Sequence, residues 1–386
     1  MMRNLAIGAA LALAMSASRT ARGDVDASPY AGVSVEQLYD SNVENSHGAD
    51  AVTRVTPRVG FLVEGPLLKL DADYAIGFHE YDQGSADNSI NHRAAIVGTA
   101  AVTPRLNIDT RLVFLAGSDP ILLDRPGIAI PEGGFVDFSG HLGTAYRATR
   151  RLTLEAAYQY RLSRFDASDQ ANPLAFDGDE HRLDLVAGYR LTRRWTLRAV
   201  ARGQHFVSYG PTDALGDAIG GGGGFDYFFT PLTIARVEGG PLYFADAGAT
   251  WFGLAELVHR GERYRWTLAA LRDLYGGTSA AQAVWAESVQ AVGTFRLTRR
   301  LDLRLRGAAY RNGIAPSGDE QVTGLVGRAD IGWSIFGDNA RIELYTEHRA
   351  QSAAGGFAFG DIQRTLVGVR LVAFAGADLL SLGDFQ

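Results

Sequence analysis

The chain has 386 residues, of which 46% are hydrophobic and 21% charged, with 46 glycines, 15 tyrosines, 19 phenylalanines and no cysteine. Two or three soluble domains would be ordinary at this length. The absence of cysteine excludes a disulfide framework, thiolate metal sites and cysteine nucleophiles. A mean hydropathy of −0.04 excludes both a multi-helix membrane protein and a largely disordered chain, leaving a folded chain rich in aromatics and in glycine, which is about 12% of it against a usual ~7%.

At the N-terminus Arg3 precedes an apolar run from Leu5 to Met15. This is the charge and length of a secretory signal, and it is too short for a membrane-spanning helix, which needs about 20 apolar residues. Small residues allow cleavage after Ser16, with Ala14 two before it, or after Gly23, with Ala21 two before it. Residues 1–23 are read as the leader, 24–374 as the folded body and 375–386 as a short periplasmic tail. No cysteine follows the leader, so a lipid-anchored lipoprotein is excluded. Without the leader 34 basic residues face 43 acidic ones, a net charge of −9, and Lys69 is the only lysine. A chain of this sign without basic tracts is not a nucleic-acid binder. An exported chain without cysteine points to the bacterial envelope.

The body carries one recurring pattern. Leu152 to Leu162 places apolar residues at even positions and mostly polar ones at odd positions. Segments from His181 to Leu191, Trp195 to Arg202, Leu301 to Arg306 and Leu68 to Phe78 repeat this period of two, which is the period of a strand. One face is apolar throughout while the other carries full charges. A soluble sandwich would pack the apolar face on a second sheet; an outer-membrane barrel would turn it to lipid and the charged face to an aqueous lumen.

Connections separate the two. Tight ones fall at Glu64-Gly65-Pro66, Thr103-Pro104-Arg105, Thr149-Arg150-Arg151, Thr192-Arg193-Arg194, Thr230-Pro231, Thr298-Arg299-Arg300 and Gly337-Asp338-Asn339. Between them lie longer polar stretches at 40–52, 81–88, 117–134, 165–179, 208–217, 312–320 and 351–361. Short turns alternating with long loops are the habit of an outer-membrane barrel, whose short turns face the periplasm. The predicted architecture is therefore all-β: a transmembrane antiparallel β-barrel of about 18 strands, starting near 30, 53, 67, 89, 106, 135, 152, 180, 195, 217, 232, 248, 262, 282, 301, 321, 340 and 362. Sixteen is the alternative count, because Gly220 to Gly224 and Gly239-Gly240-Pro241 weaken the strands between 217 and 260.

Charge differs between the two ends. Long loops collect acids, among them Asp40, Glu44, Asp50, Asp82, Asp87, Asp166, Asp169, Asp177, Asp179, Glu180, Asp319 and Glu320. Short turns collect Arg105, Arg150, Arg151, Arg193, Arg194, Arg299 and Arg300. Either the connections are simply solvated, or acids share divalent cations with an anionic outer leaflet while arginines meet inner-leaflet phosphates. Tyr158, Tyr189, Trp195, Trp251, Trp266 and Trp333 lie towards strand ends or on apolar faces, as an interfacial girdle requires.

Few residues are placed for bond-making chemistry. The run Gly220–Gly224 is followed by no Gly-Lys-Ser/Thr and is no phosphate loop. The histidines lack metal-ligand spacing. His205 and Ser208 are near each other, but no third group is placed to orient them, so the chain is read as no enzyme. Asp177-Gly178-Asp179-Glu180 lacks the twelve-residue pattern of a strong calcium loop. No cofactor and no metal are expected.

The lumen is the candidate site. Alternation turns Asp71, Asp73, Arg111, Glu155, Arg161, Arg182, Asp184, Arg198, Arg202, Arg304, Arg306, Glu343, Tyr345 and Glu347 inward. Both signs occur, so a single-sign selectivity ring is not expected. The mixture fits either cross-strand pairs bracing the wall or a wet surface over which a neutral or weakly anionic sugar polymer could slide. The 117–134 loop, with Pro120, Pro126 and Pro131, is the candidate constriction.

The most specific run is N-terminal: Leu38-Tyr39-Asp40-Ser41-Asn42-Val43, then Thr53-Arg54-Val55-Thr56-Pro57-Arg58, then Leu70-Asp71-Ala72-Asp73-Tyr74, Asn91-His92-Arg93-Ala94 and Thr103-Pro104-Arg105-Leu106. It resembles the outer-membrane β-barrel porin family associated with exopolysaccharide biosynthesis and export loci, whose first strands read Tyr-Asp-Asp-Asn-Val/Ile, Arg-Val-Ser-Pro and Asp-Ala-Asp-Tyr. The resemblance implies a passive conduit in polysaccharide secretion. Its partners would be outer-membrane lipid and lipopolysaccharide, a periplasmic polysaccharide-export protein, and polysaccharide as transported substrate. A general diffusion porin for small polar solutes and a closed structural or adhesion barrel are the alternatives. In that family the last strand ends in an aromatic residue; here Phe374 holds that place and the chain continues to Gln386.

Overall fold

The computed structural model describes residues 25–43, 48–84, 87–118, 134–165, 177–209, 214–244, 248–275, 284–314, 320–335, 339–353 and 362–375. The expected leader, most of the 117–134 loop with its three prolines, and the chain beyond 375 lie outside these residues, as do Glu44, Asp166, Asp169 and Asp319. The described residues form eighteen strands: β1 (Asp26–Val43), β2 (Gly48–Glu64), β3 (Leu68–Tyr81), β4 (Ser89–Thr103), β5 (Leu106–Gly117), β6 (Phe135–Arg147), β7 (Leu152–Phe165), β8 (Asp177–Arg190), β9 (Trp195–Tyr209), β10 (Ala214–Thr230), β11 (Thr233–Phe244), β12 (Gly248–Arg260), β13 (Tyr264–Tyr275), β14 (Val284–Arg296), β15 (Leu301–Ile314), β16 (Glu320–Ile335), β17 (Ala340–Ala353) and β18 (Ile362–Ala375). Each pairs antiparallel with its sequence neighbours, and β1 also pairs with β18, closing the sheet into a barrel. The count is eighteen and not sixteen.

Several expected loops are shorter than predicted: β8 begins at Asp177, so Asp177, Asp179 and Glu180 are strand, and β15 and β17 run on to Ile314 and Ala353. Strands β1 and β2 run on to Val43 and from Gly48, so most of 40–52 is wall. Asp40, Asn42 and Asp50 are buried in that wall; polar side chains on the inner face read like a loop when only composition is considered. Strand β10 likewise begins at Ala214, inside the expected 208–217 loop.

The glycine run is strand throughout. Gly220 pairs with Leu242 and Gly223 with Gly239, with no change of register, while Pro241 between them has no N–H to give to the ladder. A Cβ on Gly222 would lie 2.1 Å from the Gly239 carbonyl oxygen, and one on Gly240 would lie 2.1 Å from that of Gly221. The two backbones approach too closely here for any side chain, which is what a corner in a curved sheet requires.

The faces separate as the period of two dictates. Val33, Val59, Leu185, Leu268, Val369 and Leu371 are exposed on one face, with Tyr189, Trp195, Trp251 and Trp333 towards the strand ends. The opposite face carries the charges. That face is concave, because its side chains meet over intervening strands: Tyr30 of β1 reaches Asp71 of β3, and Arg341 of β17 reaches Asp302 of β15. An exposed apolar belt on a closed barrel, where every ladder has a partner, is the surface that hydrocarbon can cover. Strands of 12 to 18 residues exceed the roughly 9–11 needed to cross a bilayer.

Gly222→Ala should destabilise the barrel by roughly 1–3 kcal/mol through overpacking. Gly327→Ala, whose Cβ would meet nothing within 4 Å, should be close to neutral. Urea unfolding midpoints of the two refolded variants measure the difference; equal midpoints would contradict the corner.

Candidate functional site

The fourteen predicted lumen residues all lie on the concave face, as the strand registers require. Asp71 is opposite Val97, which is opposite Arg111. Asp184 is opposite Arg202, Arg304 is opposite Asp330, and Asp330 is opposite Tyr345. The structure groups most of them into three networks and joins to them residues that the sequence reading had not singled out.

The first network stands at the closure. The Arg364 Nε donates to both carboxylate oxygens of Asp40 at 3.0 Å, and its Nη2 donates to Oδ2 as well. Both residues are buried, and Asp40 Oδ1 also accepts from the Asn42 backbone N–H at 3.0 Å. Asn42 Nδ2 donates to the Gln363 carbonyl, and Ser41 Oγ accepts from the Thr365 N–H. One layer down, Arg370 pairs with Glu36 at 2.8 Å and with Glu343 at 3.5 Å. The ring of Tyr345 lies under the guanidinium groups of both Arg370 and Arg328, and Arg328 pairs with Asp330 and Glu347.

A second network joins β1 to β4. The Tyr30 hydroxyl donates to Asp71 at 2.8 Å, and Asp73 holds Arg58 at 2.8 Å and Arg93 at 3.1 Å. The N-terminal run singled out in the sequence thus has a structural explanation. Its Tyr-Asp-Ser-Asn segment closes the barrel, and its Arg58, Asp71, Asp73 and Arg93 brace the first four strands.

The third network crosses the interior. Arg182 binds Asp184 at 2.8 Å and Asp273 at 2.7 Å, while Arg202 binds the same two at 2.6 and 2.8 Å. Each acid thus bridges both bases. Asp273 belongs to β13, five strands along from β8, so the wall between them must fold back on itself. The glycine corner in β10 and β11 sits in that arc. Under the charge square lies an apolar cluster that includes Val200, Phe206, Leu242, Phe252 and Leu274, with the Arg202 guanidinium 4.4 Å from the centre of the Phe252 ring. Gln204 ties this arc to the Leu274 carbonyl at 3.1 Å. Alternation marks Asp273 as inward-facing, but nothing in the sequence says that β8 and β13 meet.

The ion pairs share an asymmetry. In each of several pairs the carboxylate is buried and the guanidinium is not: side-chain exposure is 5% for Asp73 against 35% for Arg93, 4% for Asp137 against 31% for Arg161, and 5% for Glu347 against 29% for Arg349. The short acid stays at wall level and the long base reaches over it. The reverse holds in other pairs, most strongly for Arg198 with Glu155, at 7% and 42%, and also for Arg341 with Asp302, at 11% and 17%. Asp109 is also exposed and meets His141 at 2.8 Å. Arg111 and Arg306 are exposed on the same face.

His205 is on the outer face, where its Nδ1 meets Asp217 at 2.6 Å; the side chain of Ser208 lies outside the described residues.

No protein-family model matches the chain, and no curated protein matches it. Solved structures of similar architecture include the siderophore receptor PirA from Acinetobacter baumannii, with 7% identity over 92% of this chain and 81% of that one, TM-score 0.49. OpdK with vanillate from Pseudomonas aeruginosa shows 11% identity over 91% and 99%, TM-score 0.45. OccAB4 from A. baumannii shows 8% identity over 92% and 99%, TM-score 0.42.

Removing one partner of a buried pair leaves an uncompensated charge, at a cost of roughly 3–5 kcal/mol. Asp40→Ala should therefore lower the urea midpoint sharply, and adding Arg364→Ala should recover part of the loss. Glu64→Gln, which breaks the exposed pair of Glu64 with Lys69 at 3.0 Å, should cost about 1 kcal/mol or less. A mild effect of Asp40→Ala would remove the closure network from the account of stability.

Proposed function

We propose that the chain is an outer-membrane porin, a passive channel for small polar solutes. The observation that carries this reading is the pairing of a closed eighteen-strand wall, apolar outside, with an inner face of charged side chains, some buried in ion pairs and others, such as Arg111 and Arg306, exposed. Barrels of 16–18 strands leave an aqueous channel, and an apolar exterior on a closed barrel suits the outer membrane. The leader read in the sequence agrees with export. No nucleotide-binding motif is present in the sequence, so movement follows the solute gradient.

The polysaccharide conduit is the second reading, and the N-terminal run favours it. With its lipopolysaccharide, export-protein and polymer partners, it stands on that run alone. The run's central residues close and brace the barrel, a duty any substrate would leave in place, so the small-solute reading is preferred.

Purified protein in planar bilayers should give stepwise conductance, and proteoliposomes should swell in small sugars and amino acids with a size cut-off. Bilayers that stay silent with correctly folded protein would establish the closed structural barrel instead. Loss of surface polymer on deleting the gene, together with passage of oligosaccharides beyond the small-sugar cut-off, would restore the conduit.

A further inference from the structure

The periplasmic rim is built in an unusual way. In the turns Thr149-Arg150-Arg151, Thr192-Arg193-Arg194 and Thr298-Arg299-Arg300, each threonine Oγ accepts the backbone N–H groups two and three residues ahead, at 3.0–3.2 Å. The turn is thus held by its threonine and by backbone N–H groups, one of them from the second arginine; the arginine side chains have no part in these bonds. They are exposed.

Arginines also occupy the last inward position of the strands that enter these three turns, and of β12, which enters the turn Gly261-Glu262-Arg263. By register Arg147, Arg190, Arg260 and Arg296 face the interior at the ends of β6, β8, β12 and β14, and all are exposed. Arg260 stands directly opposite Arg265 in the β12–β13 ladder. Like charges in directly opposed positions repel across a sheet. Arg296 stands directly opposite Asp302 in the β14–β15 ladder, and that one carboxylate is shared with Arg341 and Arg304. Across the mouth the rim changes character, with Asp26 and the Glu64–Lys69 pair.

Lipid surrounds a barrel on every side, whereas this crescent covers one arc and its inward members cannot reach the leaflet. Its field falls on whatever enters the mouth. Further in both signs occur: Arg93, Arg161 and Arg349 reach over buried carboxylates, while Asp109 and Glu155 are exposed carboxylates on the same face. We infer that the periplasmic mouth is an electrostatic funnel for anions, and that the solutes of this channel carry carboxylate or phosphate groups. Guanidinium is the side chain that matches either group with two parallel hydrogen bonds. A cleft lined by one sign of charge raises the local concentration of the opposite ion.

This rests on the chain being an open pore, and the test separates the two. Reversal potentials of the full mature protein are measured in bilayers under gradients of potassium chloride, potassium acetate and potassium phosphate. Chloride should permeate several-fold more readily than potassium at about 0.1 M salt, and the preference should shrink towards 1 M as the Debye length falls from about 10 to about 3 Å. Changing Arg147, Arg190, Arg260 and Arg296 together to Gln should bring the ratio down several-fold, and the same four changed to Lys should keep it. Changing Arg150, Arg151, Arg193 and Arg194 to Gln should alter it less, because those side chains stand outside the mouth. Acetate against phosphate tells which anion class passes better. Conductance without anion preference in the unaltered protein would falsify the funnel and leave the pore standing, as would an inner quadruple variant with unchanged selectivity. Selectivity carried by the turn-tip set alone would overturn the inward crescent as the source of the field. No conductance at all would take the pore reading down, and the funnel with it.

Discussion

A sheet of eighteen strands has two unpaired edges until β1 meets β18, and everything else in this molecule depends on that meeting. The ladder from Ala31–Ala375 to Asp40–Leu366 supplies backbone hydrogen bonds, but backbone bonds are indifferent to register. The side chains are not. Asp40 with Arg364 and Glu36 with Arg370 link residues more than three hundred positions apart, both pairs on the concave face and both requiring the same alignment. A slip by one residue would turn β18 inside out and strand its arginines on the apolar side. The buried pair costs desolvation and returns specificity: its geometry is satisfied in one alignment.

The same economy of place explains the inner wall. Charges of both signs on a concave surface crowd together, so side chains from non-adjacent strands compete for the same space. Short carboxylates settle at wall level and take hydrogen bonds there, as Asp137 does from Ser163 and Arg161. The arginines must then lie above them. A wall nearly neutral by count therefore presents an uneven surface to water, and the unevenness follows from side-chain length.

How far this could be read beforehand depends on which contact is asked about. Alternation located eighteen strands, several to the residue at their start, because one face must be apolar everywhere and the other almost nowhere. It also assigned Asp71, Arg182 and Glu343 to one face. It misjudged the outer ends of β1, β2 and β10, where Asp40, Asn42 and Asp50 look like loop residues and are buried wall. The glycine run looked like a weak strand and is a corner whose close backbones exclude side chains. The square of Arg182, Arg202, Asp184 and Asp273 was out of reach, since a two-residue period says which way a side chain points and nothing about how sharply the wall bends.

That bend decides where water can run. Between β9 and β13 the fold brings Asp273 onto Arg182 and Arg202 and packs Leu242, Phe252 and Leu274 beneath them, with almost no exposure left. This lobe of the interior is filled by the wall itself. The rest of the inner face runs from β14 through β18 and β1 to β7. Arg93, Arg111, Arg161, Arg306 and Arg349 all lie on that arc, and none belongs to the filled lobe. Apolar packing thus occupies one side of the barrel, while on the other the arginine is the more exposed partner in several ion pairs, as in Arg93 with Asp73 and Arg349 with Glu347.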